Sequence, residues 1–369
     1  MSWQKKYLTE ICKPKQWKVI SQSELTDTGY LVYGANGKMG FYYEFNHETA
    51  VLLIGCRGSC GSIHISEPFS YTNGNAMACD ELSPDVDIKF LKYFLEFRGF
   101  DDIISGGVQK QITIQGLNRV EIPLPPLATQ KRIAEILDAA DALRRKDQEL
   151  LKKYDELAQA IFIDMFGDPV KNEKGWDVKK LKDFGSISTG NTPSRADKTN
   201  FDSNYIEWIK TDNIGENKLF VTQSSEYLSE VGSKKGRITP KGSLLVACIA
   251  GSVESIGRAA LTDRQVAFNQ QINSIQPNSN VNAKFLYYLF KFSRKHIQNH
   301  ASNGMKRMLS KGEFEKIKMI LPELNVQNNF NKVIQQFEFQ TDQLKDSNFK
   351  SMDLFNNLIQ KAFKGELVS

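Results

Sequence analysis

An internal duplication constrains the fold of this chain more than any other feature. The segment LPPLATQKRIAEIL (124–137) has a degenerate second copy, LPELNVQNNFNKVI (321–334). Pro125 corresponds to Pro322 and Gln130 to Gln327, and both pairs are separated by 197 residues (322 − 125 and 327 − 130). This period is far longer than the repeats of solenoid proteins, so the sequence predicts two copies of a unit made of a domain followed by a helix.

Two further matches occur in the same order along the chain. VLLIGC (51–56) is similar to SLLVAC (243–248), and KFLKYFLEF (89–97) is similar to KFLYYLFKF (284–292). The offset grows from 192 to 195 to 197 residues, as small loop insertions between two copies of one fold would produce. Two similar units with approximate two-fold symmetry suit a two-fold target, of which duplex DNA is the most common.

The composition is that of a globular protein that can bind a polyanionic partner. The 369 residues are enough for two domains of ordinary size, and the net charge of +5 permits nucleic-acid binding without requiring it. The five cysteines form no CxxC pair and are predicted to be free thiols in a reducing compartment. The first ten residues lack the apolar run of a signal peptide, so we expect a cytoplasmic protein with no membrane contact.

Two segments predict unusually long helices, residues 127–166 and about 324–363. The first contains neither proline nor glycine, and apolar residues recur in it at steps of three and four, the pattern of a heptad seam. At 1.5 Å per residue such a helix is roughly 55–60 Å long. The residues assigned to the helix–helix seam are Ile133, Ile136, Leu143, Leu150, Leu157 and Ile161 in the first segment and Phe330, Phe337, Leu344, Leu354 and Leu358 in the second.

Neither helix can bury its apolar stripe alone, because a lone amphipathic helix leaves that face in water. The simplest arrangement is an antiparallel pair, since each helix follows an equivalent domain. The second helix has the weaker seam, with Gln340, Ser347 and Ser351 at positions that are apolar in the first. The alternative is two unrelated surface helices, each of which covers its own domain.

The motifs closest to catalytic or cofactor-binding loops do not fit those roles. GANGKMG (34–40) has the glycine spacing of a dinucleotide loop, but the following FYYEF (41–45) predicts a strand where that fold needs a helix. GCRGSCG (55–61) lacks the Lys-Ser/Thr of a phosphate loop. The Asp/Asn-Pro-Pro-Tyr/Phe motif of an amino-methyltransferase is absent from the sequence. We therefore predict a reader of its target, without a reactive centre or metal site.

Side chains suited to duplex DNA are frequent in glycine-rich and loop segments of both copies. Lys, Arg, Thr and Asn bind phosphates, and the forked side chains of Arg, Asn and Gln bind base edges. SGGVQKQ (105–111) and SNGMKRM (302–308) lie at nearly matching places after the helix of each domain. For any single residue a solvated loop is the alternative. The predicted DNA-binding residues are Tyr33, Asn36, Lys38, Arg57, Asn75, Lys110 and Gln111 in the first copy and Thr189, Asn191, Thr192, Arg195, Lys210, Thr211, Asn213, Asn269, Gln270, Lys306 and Arg307 in the second.

These segments together resemble the specificity subunits of type I restriction–modification systems, the HsdS family. LPPLATQKRI at the start of the central helix is similar to the family's helix entry. MFGDP (165–169), followed by KGWDVKKLKDF (174–184), resembles the restart of its second half. STGNTPSR (188–195) with IEWIKTDNI (206–214) resembles the opening of family recognition domains, and AFKGELV (362–368) resembles a common family terminus.

The resemblance implies an α+β chain in which two similar, mixed α/β target recognition domains are separated by two long antiparallel helices that form a coiled coil, a pseudo-two-fold internal repeat. The expected bounds are 1–125 for the first domain, 126–168 for the central conserved helix, 169–322 for the second domain and 323–369 for the distal conserved helix. Each domain would read one half of a split sequence in double-stranded DNA, and the helix pair would set the spacing between the two halves.

The resemblance also implies partners for a chain without catalytic residues. Two modification (methyltransferase) subunits would bind S-adenosylmethionine, and a restriction/translocase subunit would use ATP and Mg, so no cofactor is expected in this chain. Two other functions remain as alternatives. An orphan or regulatory DNA-binding protein would act without modification partners, and a self-contained nuclease or methyltransferase is disfavoured by the missing motifs.

Overall fold

The structure, a computed structural model, describes residues 3–107, 109–249, 252–302 and 308–368. The chain divides into two compact units, one formed by Met1–Leu150 with Leu344–Ser369 and the other by Leu151–Gln343. Each unit therefore contains part of both long helices. No helix in the described part of the chain combines the length and the apolar composition that crossing a membrane requires.

The first unit consists of short strands and helices that precede the central long helix, together with the first part of that helix and the last part of the final long helix. Its elements are β1 (Gln4–Tyr7), α1 (Leu8–Ile11), β2 (Lys13–Gln16), β3 (Tyr30–Gly34), β4 (Gly37–Tyr42), β5 (Leu52–Gly55), β6 (Ile63–Ile65), β7 (Tyr71–Thr72), β8 (Ala76–Asp80), α2 (Ile88–Arg98), α3 (Ile114–Leu117), β9 (Glu121–Leu124) and the first part of α4 (Leu127–Phe166). The strands pair in the orders β1-β9, β2-β8-β5-β6 and β4-β3-β7. The GANGKMG segment forms the β3–β4 hairpin, and β4 continues through Phe41 and Tyr42. A strand and not a helix therefore follows the motif, but it ends before the predicted residues 43–45.

The second unit repeats this arrangement. Its elements are the last part of α4, β10 (Val178–Lys180), β11 (Gly185–Thr189), β12 (Ile206–Ile209), β13 (Tyr227–Leu228), α5 (Glu230–Lys235), β14 (Ile238–Thr239), β15 (Leu244–Ala247), β16 (Ala259–Leu261), β17 (Val266–Phe268), β18 (Ile272–Pro277), α6 (Ala283–Phe292), α7 (Arg294–Gln298), α8 (Lys311–Lys316), β19 (Lys318–Ile320) and the first part of α9 (Leu324–Phe363). The sheets are β10-β19, β11-β18-β15-β16 and β13-β12-β17-β14. Each sheet of the first unit thus has a counterpart in the second.

The sequence repeats coincide with equivalent elements. VLLIGC and SLLVAC form β5 and β15, which are interior strands of corresponding four-stranded sheets. The two phenylalanine-rich repeats form α2 and α6. These helices begin in the same way, because the side chains of Asp87 and Asn282 each accept hydrogen bonds from two backbone N–H groups in the first turn. The predicted internal duplication is confirmed.

A buried glutamine joins each long helix to the domain before it. The Gln130 Oε1 accepts a hydrogen bond from the Asp87 backbone N–H at 2.9 Å, and its Nε2 donates to the carbonyls of Asp85 and Pro125, both at 2.9 Å. Gln327 makes the same three bonds in the second unit, to Asn282, Asn280 and Pro322. This contact explains why glutamine recurs in both copies of the helix entry.

The two long helices run antiparallel in each unit. In the first unit Ile133 and Leu137, near the start of α4, pack with Ile359 and Ala362, near the end of α9. In the second unit Phe166, at the end of α4, packs on Phe330, near the start of α9, with ring centroids 5.4 Å apart. The paired arrangement is confirmed, and the alternative of two unrelated surface helices is not.

The contact row between the helices differs in part from the predicted seam. Ile133 and Phe330 are buried, and Ile136, Leu150, Ile161, Phe337, Leu344 and Leu358 are partly buried. The prediction is wrong for Leu143, Leu157 and Leu354, which are 46%, 44% and 45% exposed. Other buried positions on the two helices include Ala140, Asp147, Ala158 and Ser351. Ile133, Ala140 and Asp147 are buried and seven residues apart, so this row faces the contact, whereas Leu143 lies three residues beyond Ala140 and therefore to one side of it.

Candidate nucleic-acid interface

A cleft beyond the end of β5 brings together three of the predicted DNA-binding residues. It has a volume of about 530 Å³ and contains no carboxylate among its lining residues, which are Arg57, Gly58, Gly107, Gln109, Lys110 and Gln111. The side chains of Arg57 and Lys110 make no ion pair or hydrogen bond within the described residues. Unpaired Lys and Arg side chains are the groups that phosphates and the acceptor atoms of base edges bind, so this cleft is the candidate interface.

The backbone that carries Arg57 is fixed by neighbouring segments. The N–H groups of Cys56 and Arg57 both donate to the carbonyl of Asn75, at 3.0 and 3.2 Å, and the N–H of Ile112 donates to the carbonyl of Cys56 at 3.0 Å. Arg57 also forms an antiparallel bridge with Gln111. Because its backbone is held on both sides, Arg57 presents its side chain to the cleft from a rigid support.

The second unit repeats this hydrogen-bond pattern. The N–H groups of Cys248 and Ile249 donate to the carbonyl of Gln271 at 2.8 and 3.1 Å, and the N–H of Leu309 donates to the carbonyl of Cys248 at 2.8 Å. Ile249 forms an antiparallel bridge with Met308. Lys306 and Arg307, which were predicted to bind DNA beside this position, lie outside the described residues.

The other predicted residues of the first domain have intramolecular contacts. Tyr33 is buried, and its hydroxyl accepts a hydrogen bond from the backbone N–H of Glu67 at 3.2 Å. Lys38 pairs with Glu67 at 2.6 Å, and this hydrogen bond raises the pKa of Lys38. Asn36 accepts a long 3.5 Å hydrogen bond from Ser59, which belongs to the same loop as Arg57. Asn75 contributes through its backbone carbonyl, as described above.

In the second domain, two predicted phosphate-binding cations share one carboxylate. Arg195 pairs with Glu226 at 2.6 Å, and Lys210 pairs with the other oxygen of the same group. The guanidinium of Arg195 also lies 5.2 Å from the ring centroids of Phe201 and Trp208. The hydrogen bond from Lys210, together with Arg195, lowers the pKa of Glu226 although partial burial opposes this.

Glu226 was not among the residues predicted from the sequence to bind DNA. It follows Arg195 by 31 residues and Lys210 by 16, and only the tertiary structure brings the three together. Because both cations are partly neutralised, they attract a phosphate less strongly than the unpaired Arg57 and Lys110 do.

Several of the remaining candidates in the second domain support loops. The Asn191 side chain donates to the carbonyl of Lys235 at 2.7 Å and accepts from the N–H of Arg237 at 2.6 Å. The Thr189 hydroxyl donates to Asn273 at 2.7 Å, and Thr192 donates to Gln270.

Three further candidates shape turns. Asn213 ends the short turn that begins at Thr211, and its side chain accepts a hydrogen bond from the backbone N–H of Lys210 at 3.0 Å. Asn269 is buried and hydrogen-bonded to Gln271. These contacts place the loops but leave Asn269 little surface for DNA.

Comparisons with known proteins agree with the repeated architecture. Residues 1–153 and 173–348 match the family model described as type I restriction modification DNA specificity domain. The specificity subunit of the type I restriction enzyme HindI from Haemophilus influenzae is 30% identical over 199 residues, which cover 53% of this chain and 42% of that subunit. The chain thus aligns with less than half of the length of this relative.

Solved structures show the same fold over nearly the whole chain. The S subunit of a type I restriction–modification system from M. genitalium has a TM-score of 0.65 and 16% identity, and the match covers 98% of this chain and 96% of that one. A chain from a structure of the type I R-M system, described in terms of complex assembly and conformational transition, has a TM-score of 0.52, 15% identity and coverage of 99% and 98%. Because the family model matches most of both repeats, the chain belongs to the family of type I restriction–modification DNA specificity subunits.

Proposed function

We propose that this chain is the sequence-specific, DNA-binding specificity subunit of a type I restriction–modification complex and that it reads a bipartite target, one half-site per domain. The observation that carries the proposal is the hydrogen-bond pattern shared by residues 56–57 and 248–249. It supports two equivalent backbone positions, one in each domain, as a reader of two half-sites requires. The family membership supports DNA as the target.

The charge of the first-domain cleft supports contact with DNA. Arg57 and Lys110 are exposed, and the lining residues include no carboxylate that would repel a phosphate. A Cβ added to Gly58 would meet nothing within 4 Å, so the chain leaves open space beside Arg57. A duplex backbone can therefore approach this side of the cleft closely.

Exposed apolar side chains on the long helices support partner binding. In the first unit Phe349 and Leu354 are 73% and 45% exposed, and in the second unit Phe339 and Leu157 are 66% and 44% exposed. Large apolar side chains in water favour burial against another protein. We propose that two modification subunits bind these helices and that a restriction/translocase subunit joins them. The partners would supply S-adenosylmethionine, ATP and Mg chemistry, while this chain contributes recognition and spacing.

The test uses the purified full chain and a duplex selected from a random pool. Lys110→Ala should weaken binding to all sequences about equally and reduce the slope of log affinity against log salt by about one, because one phosphate contact is lost. Lys131→Ala, an exposed lysine on the central helix, is the matched control and should leave the slope unchanged. Fluorescence anisotropy at several salt concentrations measures both.

A second step separates the proposed function from its alternatives. The selected duplex should become methylated only when modification subunits and S-adenosylmethionine are added to the chain. Methyl transfer by the chain alone would refute a non-catalytic role. Sequence-specific binding that never supports methylation by added modification subunits would favour the orphan DNA-binding protein.

A further inference from the structure

The two domains carry different side chains at one equivalent pair of positions. In the first domain the pair is Arg57 and Gln111, and in the second it is Ile249 and Met308. Arg57 and Ile249 each follow a buried cysteine, Cys56 or Cys248, and each forms an antiparallel bridge with the other member of its pair. In each domain the N–H groups of the cysteine and of the residue after it donate to one carbonyl, that of Asn75 or of Gln271. The backbone support is therefore the same, whereas the chemistry presented differs.

The first pair consists of hydrogen-bonding side chains. Arg57 and Gln111 are both exposed and line the cleft. In the major groove, a guanidinium binds the O6 and N7 acceptors of guanine with two donors, and a carboxamide binds N6 and N7 of adenine. The pair suits purine edges.

The second pair cannot make such contacts. Ile249 is partly buried and Met308 is 41% exposed, and neither side chain has a hydrogen-bond donor to offer a base edge. The only apolar group that a base pair presents in the major groove is the C5-methyl of thymine. An exposed methionine beside an isoleucine, at a position equivalent to Arg57, therefore suits a thymine methyl.

From this juxtaposition we propose that the bridged pair is a specificity-determining position in both domains: Arg57–Gln111 binds a purine edge, with guanine at Arg57, and Ile249–Met308 binds a thymine methyl. This inference rests on the proposed function. It assigns different readout chemistry to the two half-sites, which explains how one duplicated fold can read an asymmetric sequence.

The experiment uses base analogues in the duplex that the full chain selects from a random pool. Replacing thymine by uracil removes only the C5-methyl group, and at one position of the second half-site it should weaken binding about fourfold, the loss expected for one buried methyl group. Replacing guanine by 7-deazaguanine removes the N7 acceptor, and at one position of the first half-site it should weaken binding by roughly fivefold or more. Inosine keeps O6 and N7 and serves as the control for guanine.

Substitutions assign each effect to its residues. Arg57→Ala should abolish the 7-deazaguanine effect and keep the uracil effect, and the double variant Ile249→Ala with Met308→Ala should do the reverse. Each variant is the folding control for the other, because an unfolded chain would lose both effects together.

The outcomes separate this inference from the proposed function. If the wild-type chain enriches no sequence, the proposed function fails and the inference fails with it. If it enriches a bipartite sequence but neither analogue changes the affinity, or the effects do not follow the substituted residues, the inference is wrong and the proposed function stands. Loss of each effect in its own variant alone supports the inference.

Discussion

At the scale of single residues, a buried glutamine joins each long helix to the domain that precedes it. Gln130 and Gln327 are 1% and 0% exposed, yet each satisfies its buried amide with three hydrogen bonds to backbone groups. A buried amide without partners is costly, so these residues fix the direction in which each long helix leaves its domain. Glu226, by contrast, is partly exposed, and its carboxylate pairs with both Arg195 and Lys210.

Gln327→Ala should destabilise the second unit by about 2–4 kcal/mol, because the change removes the amide and leaves the backbone N–H of Asn282 without its partner. Asn329→Ala, an exposed position on the same helix, is the control and should change the free energy of unfolding by about 0.5 kcal/mol or less. Urea unfolding followed by circular dichroism measures both. Equal effects of the two substitutions would show that the buried amide is not a structural contact.

At the scale of secondary-structure elements, corresponding phenylalanines at the ends of the two long helices pack on α6 and α2. Phe166 near the end of α4 and Phe363 at the end of α9 are 197 residues apart, like the repeats that begin these helices (363 − 166). Phe166 packs on Phe285 of α6 with ring centroids 4.9 Å apart, and Phe363 packs on Phe90 of α2 at 5.6 Å. Each long helix therefore begins after one domain and ends on the helix of the other.

Phe166→Ala should destabilise the second unit by about 3–5 kcal/mol, the range for loss of a fully buried aromatic ring. Leu157→Ala on the same helix is the matched control, and because Leu157 is 44% exposed we expect about 1 kcal/mol or less. Binding of modification subunits should show the opposite order, because Leu157→Ala should weaken their association with the chain more than Phe166→Ala does. A stability loss at Leu157 as large as that at Phe166 would contradict the exposed position.

At the scale of the whole molecule, each long helix belongs to both compact units. Each helix contains 40 residues and is thus about 60 Å long. A polar contact lies near the middle of the helix pair, because Asp147 of α4 is buried and accepts a hydrogen bond from Ser347 of α9 at 3.2 Å. Such a contact favours one register of the two helices over others.

Inserting seven residues, two helical turns, after Leu143 should lengthen the spacer between the half-sites. The matching insertion in α9 belongs beside Phe355, whose ring lies 5.0 Å from the guanidinium of Arg144. Two turns add about 10 Å, which corresponds to about three base pairs, and neither half-site should change. Sequencing of DNA methylated by the reconstituted complex measures the spacer. An unchanged spacer would contradict the proposal that the length of the helices sets the spacing between the half-sites.

The sequence alone determined the duplication and both long helices, because these features are periodic and local. Neither proline nor glycine interrupts residues 127–166, and α4 begins and ends at those residues. The exposed positions of Lys110 and Gln111 also followed from the sequence, because polar residues in a glycine-rich segment favour an open loop; their contact with DNA stays a prediction.

Only the tertiary structure decided which polar side chains stay free to bind and which hold the fold together. Arg57 and Arg195 looked equivalent in sequence, but Arg195 pairs with a carboxylate 31 residues further along the chain. Leu143 and Leu157 looked like seam positions, but the rotation of the helix about its own axis leaves both of them exposed. Pairing of charges and rotation of helices depend on contacts between distant segments, and these are set by the packing of the whole chain.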